Sequence, residues 1–336
     1  MLKIGILSPS DIAVRRFIPA LKASAQAEFA GIACASAQER GVQVDEKHLS
    51  ESQKKTRQIA EQYGARAFDS YEDLLNDESI DAVYLPLPPA LHERWGLCAL
   101  EHGKHVMLEK PSTPDVLSTE RLVDEASKRN LALHENYAFI YHDRVKRIQE
   151  LICDGALGEL RNVRAAFGFP YRGESDFRYH QSMGGGALLD CGGYPIRLAT
   201  LLLGENASVR GAMLASTRNH DVDVYGSLAL VDDDNVSAQL SFGMDNAYKC
   251  DLEIWGSLGY LRADRIFTPP ADMETSIEIT GNTEAAGTYA CSPCDQFQRS
   301  IEHFVLCAND QLVREQTYNQ VIKQASLVKS TFEEAQ

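Results

Sequence analysis

The sequence predicts an α/β protein in two parts. A doubly wound parallel sheet is expected over residues 1–135, and an α+β domain with a large, mostly antiparallel sheet over residues 136–336. Two observations carry this expectation. Up to residue 135, short apolar runs alternate with helix-like stretches, the pattern of βαβ crossovers. From about Arg161 the runs alternate apolar with polar residues and follow one another with few helices between them.

In the first part the strand-like runs are Lys3 to Leu7, Phe29 to Ala35, Ala82 to Leu85, His105 to Leu108 and Ala132 to His134. Each is short and nearly continuous in apolar residues, as strands covered on both faces must be. Helix-like stretches lie near Arg15–Ala23, Ser52–Tyr63, Leu91–His102 and Pro114–Arg129. This is the grammar of a Rossmann domain. The polar stretch Gln38–Arg57, with Lys54, Lys55 and Arg57, is expected to be a long loop leading into a helix.

In the second part, strands are expected at Asn162–Phe169, Tyr225–Val231, Ser237–Phe242, Leu252–Trp255 and Tyr260–Ala263. The turn signal Asp232-Asp233-Asp234-Asn235 separates two of them. An apolar helix is expected over Ile196–Leu203, and two helices near Asp295–Cys307 and Tyr318–Phe332 close the chain. One face of such a sheet packs on helices and the other needs a cover. A second copy of the chain is the simplest cover, so a homodimer or homotetramer through this sheet is expected.

Composition bounds the function. A chain of 336 residues, 44% hydrophobic and 24% charged, is ordinary globular protein. A net charge of −15 argues against sequence-independent binding of nucleic acid, which needs basic stripes. No apolar run approaches the ~18 residues of a membrane span. Met1-Leu2-Lys3-Ile4-Gly5-Ile6-Leu7 enters a strand pattern directly, and the eight cysteines form no disulfide-like framework, so a cytoplasmic protein is expected. Cys291-Ser-Pro-Cys294 lacks a second pair or a histidine at ligand spacing and is read as two ordinary thiols, with no metal expected.

Ligands of open α/β sheets bind at the carboxyl ends of the strands. After the first strand comes Ser8-Pro9-Ser10-Asp11-Ile12-Ala13, with serines where a dinucleotide fingerprint has its first two glycines. A diphosphate would lie against the helix start at Asp11 and Ile12, with the hydroxyls of Ser8 and Ser10 as donors. The second strand ends without an acidic residue at its tip. Ser36 and Arg40 suit a 2′-phosphate, which favours NADP over NAD, although Glu39 remains available to a ribose hydroxyl. Leu87 and Pro88, in the run Tyr84 to Pro89, follow the strand where the nicotinamide half would pass. His92 is expected to be structural or a ribose contact.

Glu109-Lys110-Pro111 follows the strand His105–Leu108, so Lys110 emerges at the ligand edge. Downstream, Gly184-Gly185-Gly186-Ala187-Leu188-Leu189-Asp190-Cys191-Gly192-Gly193-Tyr194 leads into the apolar helix. Reduction of a ketone places negative charge on oxygen, so it requires a proton donor and a positive field. A tyrosine donates poorly at neutral pH until a cation lowers its pKa. Lys110 and Tyr194 are therefore the candidate catalytic pair. Asp190 would orient a substrate hydroxyl and balance Lys110, with a helix cap as its other reading. Arg178 and Tyr179 are candidates to reach the same substrate, with surface-loop residues as the alternative.

LPLP with His92, the LEKPS segment, GGGALLDCGGYP, Thr268–Pro270 and the late QFQRSIEHF helix together resemble the Gfo/Idh/MocA oxidoreductases along essentially the whole chain. The serine-bearing phosphate loop departs from that family's glycines. The resemblance implies a nucleotide-binding domain, an open-faced C-terminal domain, and hydride transfer between NAD(P) and a sugar-like carbinol or ketone. It also implies that Lys110 contacts nicotinamide ribose and substrate, and that Asn136 lies near the nicotinamide ring. Where many members carry histidine, Tyr194 resembles the glucose–fructose oxidoreductase, dihydrodiol dehydrogenase and nucleotide-sugar ketoreductase branches. The expected activity is reduction of a keto-sugar, with nucleotide-linked keto-sugars among the candidates. The alternatives are oxidation of a free sugar, inositol or trans-diol, and, from another class, a non-catalytic dinucleotide sensor.

Overall fold

The computed structural model describes residues 1–40, 46–217 and 220–335. It divides into two compact units, one of residues 1–136 with 297–322, the other of 137–296 with 323–336.

The first unit is built on six parallel strands: β1 Leu2–Leu7, β2 Ala27–Ala33, β3 Arg66–Phe68, β4 Ala82–Leu85, β5 His105–Leu108 and β6 Leu133–Glu135. They lie in the order β3-β2-β1-β4-β5-β6. The order reverses between β1 and β4, and a doubly wound sheet opens its ligand crevice at that point. The strands form because their side chains are buried on both faces: Ile4, Ile6, Leu7, Val83, Leu85, Val106 and Leu108 are essentially inaccessible. Helices begin and end on local chemistry. In Val116–Arg129 the Asp115 side chain accepts from the Ser118 N–H at 2.9 Å, and Asn130 ends the helix in the left-handed region at φ 57°. Of the stretch Gln38–Arg57, residues 41–45 lie outside the described residues. Glu46–Tyr63 is one continuous helix that begins ahead of its expected start near Ser52, because Glu, Lys and Gln favour helix as readily as solvent.

The second unit carries eight strands: β7 Leu160–Gly168, β8 Ser208–Ala215, β9 Tyr225–Val231, β10 Ser237–Gly243, β11 Lys249–Gly256, β12 Gly259–Asp264, β13 Thr275–Gly281 and β14 Gly287–Cys291. Their order is β14-β13-β12-β11-β7-β10-β9-β8, antiparallel throughout except for the parallel pair β7 and β10. One face is apolar, with Val163, Phe167, Leu240, Phe242, Leu252 and Ile254 buried, and the helices Asp143–Cys153 and Gly193–Leu203 lie on it. Along the other face the register aligns Gln239, Arg164, Glu253, Arg262 and Glu278 across five strands. Trp255 on that face is 64% exposed. Among the described residues no disulfide joins the cysteines, and no helix is long and apolar enough to cross a membrane.

Candidate functional site

At the end of β1, Ser8 holds φ 109°, a left-handed conformation that L-residues avoid and glycine adopts freely. The backbone thus keeps the shape for which the fingerprint uses glycine. Its hydroxyl is engaged by Tyr71, whose phenol is raised in pKa by burial. Ser10 Oγ accepts from the Ala13 N–H at 3.3 Å, which caps the helical segment that begins at Asp11 and passes through a π-helical turn over Ala13–Phe17. Both serines therefore shape the loop.

Glu39 is committed elsewhere than a ribose. Its Oε2 accepts from the backbone N–H groups of Ser36 at 2.6 Å and Tyr71 at 3.2 Å, and its Oε1 from that of Glu72 at 3.0 Å. It caps the helix Tyr71–Leu75 and closes the turn after β2. Arg40 is steadied through Nε, which donates to the Ala35 carbonyl at 3.2 Å. Arg94 stacks over Trp95 and reaches the Glu39 carbonyl at 3.5 Å. Among the described residues, the guanidinium groups of Arg40 and Arg94 mark this strand tip, and the Glu39 carboxylate is turned to backbone amides.

At the end of β5 the Glu109 carboxylate is buried, and that burial raises its pKa. Its Oε1 accepts from Tyr84 Oη at 2.6 Å and from Asn136 Nδ2 at 2.7 Å. The Glu109 N–H donates to Leu85 at 3.1 Å, and two residues beyond Lys110 the Ser112 N–H donates to Glu135 Oε1 at 2.7 Å. The Lys110–Pro111 peptide is cis. His92 is fully buried, with Nδ1 at 2.9 Å from the Pro111 carbonyl and Nε2 at 2.8 Å from that of Leu87. Burial lowers its pKa. His92 thus ties the loop after β4 to the turn after Lys110, with both ring nitrogens directed to backbone carbonyls.

In the second unit the glycine run is an obligatory close packing. A Cβ on Gly186, at φ 123°, would lie 2.6 Å from Asp223 Oδ1, and one on Gly193 would lie 2.0 Å from Tyr137 Oη. Asp223 holds the start of the helix: its carbonyl accepts from Ala187 at 2.8 Å and its Oδ2 from the Leu188 N–H at 2.7 Å. Burial raises its pKa to about 6. The segment Leu188–Gly192 is a π-helical turn, and the α-helix resumes at Gly193 with Pro195 in its first turn. Asp190 and Arg178, both expected at the substrate, are brought together, Nε to Oδ2 at 2.9 Å. Arg178 also holds Asp176 at 3.0 Å, and the two carboxylates raise its pKa against burial. Arg178 thus meets the Asp190 charge within this unit.

Tyr194 sits in an aromatic enclosure, with the rings of Phe167 at 4.9 Å, Tyr137 at 5.3 Å, Phe267 at 5.7 Å and Phe139 at 5.8 Å. Such walls restrict the orientation of the ring, which remains partly exposed. Tyr179 is buried, and its hydroxyl lies 2.5 Å from the Met244 carbonyl, to which it donates. The same hydroxyl accepts from the Arg172 N–H at 3.2 Å, so within the protein it supports the loop. Sequence reading missed Tyr71, Glu135, Asp223 and Ser300. Each acts through a backbone or side-chain partner distant in sequence, which no local spacing reports.

The doubly wound first unit with a lysine at its carboxyl edge, and the glycine-rich turn before Tyr194, define an oxidoreductase class. The chain belongs to the GFO/IDH/MocA family. Residues 15–137 match the model described as "Oxidoreductase family, NAD-binding Rossmann fold", and residues 145–262 match that of the GFO/IDH/MocA C-terminal domain. Among its relatives is the dTDP-3,4-didehydro-2,6-dideoxy-alpha-D-glucose 3-reductase of Streptomyces violaceoruber, 43% identical over 83% of this chain and 77% of that protein. The enzyme of the same name from Actinomadura kijaniata is 36% identical over 97% of this chain and 93% of that one. A crystal structure of KijD10, a 3-ketoreductase from Actinomadura kijaniata with NADP and TDP-benzene, superposes with a TM-score of 0.89 at 35% identity, covering 99% of this chain and 97% of that one. Variant structures of KijD10 replace a tyrosine by phenylalanine and a lysine by glutamate or alanine. Those two positions are eighty-four residues apart in KijD10, the separation of Lys110 and Tyr194 here.

Proposed function

We propose that this chain is an NADPH-dependent ketoreductase acting on a nucleotide-linked keto-sugar, of the dTDP-linked 3-keto-deoxysugar type. The observation that carries the proposal is the pair Lys110 and Tyr194, in their motifs and at the spacing of the substituted pair in a ketoreductase that the chain matches almost end to end. The residues present fit the cofactor. Ser8 holds the glycine-like turn, the helical segment starts at Asp11, and Glu39 is turned to backbone amides, which leaves Ser36 and Arg40 for a 2′-phosphate.

When bound, NADPH supplies a hydride to the carbonyl carbon. The chain supplies the rest. Tyr194 Oη delivers the proton to the carbonyl oxygen, its ring held by the aromatic walls. Lys110 provides positive charge for the oxygen and contacts the nicotinamide ribose, while Glu109 and Asn136 hold the backbone that carries it. Arg178 and Asp190 orient substrate hydroxyls as a neutral pair. The open face of the second sheet, with Trp255 and a recess lined by Met213, Tyr225 and Asn246, supports assembly with a second copy.

The test is NADPH consumption with the dTDP-linked 3-keto sugar, free ketoses and free aldoses, repeated with NADH. Turnover restricted to the nucleotide-linked ketone, with KM lower for NADPH than for NADH, is expected. Oxidation of free aldoses alone would replace the proposal with a sugar dehydrogenase. Cofactor binding without turnover on any substrate would make the chain a sensor.

A further inference from the structure

The helix Gln296–Asn309 returns late in the chain to the first unit and buries an apolar face of Phe297, Ile301 and Phe304. Within that face Ser300 is completely inaccessible. A buried hydroxyl is costly unless its hydrogen bonds are made, so its partners are informative. Ser300 Oγ lies 2.8 Å from Asn136 Oδ1 and 2.9 Å from His134 Nε2.

Hydrogen accounting fixes the direction of each bond. Glu109 Oε1 accepts from the Asn136 amide, so the Asn136 nitrogen faces Glu109 and its oxygen faces Ser300. An amide oxygen only accepts, so the single hydroxyl hydrogen of Ser300 is spent on it. Ser300 Oγ is then the acceptor for His134, whose Nε2 carries the proton. Donors run one way, from His134 to Ser300 to Asn136 to Glu109, and Tyr84 adds a further donor to the same carboxylate oxygen. Chains of this kind polarise each successive bond.

We infer that Ser300, with His134 behind it, is a positioning residue for the Glu109–Lys110 turn: it locks the Asn136 amide so that its N–H is always presented to Glu109. The inference rests on the proposed role of Lys110. Without the Ser300 hydroxyl the Asn136 amide is free to rotate and present its oxygen to the Glu109 carboxylate, a repulsive contact. Glu109 would then lose a donor that offsets its burial, and the neighbouring lysine would lose its fixed counter-charge and backbone placement.

The experiment uses the full chain and two readouts. Infrared difference spectra against pH, with the Glu109 band assigned by its loss in Glu109→Gln, follow the carboxyl without any substrate. Steady-state turnover separates kcat from KM. Ser300→Ala is expected to raise the Glu109 titration midpoint by about one pH unit, the size of one lost donor to a charged acceptor. It should also lower kcat about tenfold with little change in KM for NADPH. Ser300→Cys, isosteric with a weak donor, should fall between, and it decides the matter if the alanine variant folds poorly. Ile301→Val, beside it on the same helix, controls for packing and should leave both readouts in place. A Glu109 midpoint in Ser300→Ala and Ser300→Cys no different from Ile301→Val overturns the inference. Absence of turnover in the wild type would sink the ketoreductase proposal instead, while the infrared readout would still decide the role of Ser300.

Discussion

Lys110→Ala is expected to lose most turnover with the fold intact, because a lysine at a strand's carboxyl edge serves the ligand rather than the core. Circular dichroism beside steady-state kinetics checks this, and wild-type kcat in that variant would remove the lysine from the mechanism. Tyr194→Phe keeps the ring in its aromatic enclosure and removes only the proton, so a fall in kcat of about 10²–10⁴-fold is expected. A smaller fall would hand proton donation to Lys110 or water. Asp223 makes a different residue-scale prediction. Its folded pKa, raised by burial to about 6 from 3.8, means the native state binds its proton more tightly than the unfolded chain. Stability from this group is complete below about pH 4 and is lost as pH rises through about 6. Relative to Asp223→Asn, the wild type should therefore gain stability as pH falls from 7 to 4, by at most about 3 kcal/mol in urea melts. A flat difference would show that the carboxyl does not titrate there.

At the scale of elements, the helix Gly193–Leu203 depends on a glycine at its first position. Gly193→Ala puts a methyl against Tyr137 Oη and should cost about 1–3 kcal/mol. Adding Tyr137→Phe, which removes the obstructing oxygen, should recover part of that loss in chemical denaturation, and no recovery would place the strain elsewhere. The same scale shows what sequence could tell. β4, β5 and β9 match their expected bounds, because central strands bury every second residue or more. The unforeseen strands include β3, β8 and β14, which are sheet edges, and β13 beside one of them. An edge strand has less to bury: Arg66–Phe68 has no fully buried residue, and in Thr275–Gly281 only Ile277 and Ile279 are large apolar groups. The helix Asp143–Cys153 was not foreseen, although Val145, Ile148 and Leu151 bury one face of it at helical spacing. In the site, Lys110, Tyr194 and the strand-tip residues stood in local motifs. The partners that fix them were not legible, because Glu39 with Tyr71, Asn136 with Ser300 and Leu188 with Asp223 meet only through tertiary folding.

For the whole molecule, the uncovered face of the eight-stranded sheet is the feature with the widest effect. Its register row alternates Arg164, Glu253, Arg262 and Glu278, and Arg164 and Glu253 pair at 3.5 Å within the sheet, so the row is balanced in charge. Trp255→Glu should shift the proposed assembly toward monomer in light scattering. A monomeric wild type at working concentration would refute assembly through this face.

The parallel pairing of β7 with β10 has a consequence for how such enzymes diversify. β8 runs in the same direction as β7 but lies beyond β10 and β9, so residues 169–207 form a single crossover spanning the sheet. Arg178, Asp190 and Tyr194 all belong to that one excursion. The sheet's hydrogen-bond ladder is closed without it. On the roles proposed for Arg178, Asp190 and Tyr194, exchanges within this stretch that keep the buried face of the helix Gly193–Leu203 should alter substrate choice while the strand order stays as it is. It is a natural boundary for chimeras between relatives with different sugars.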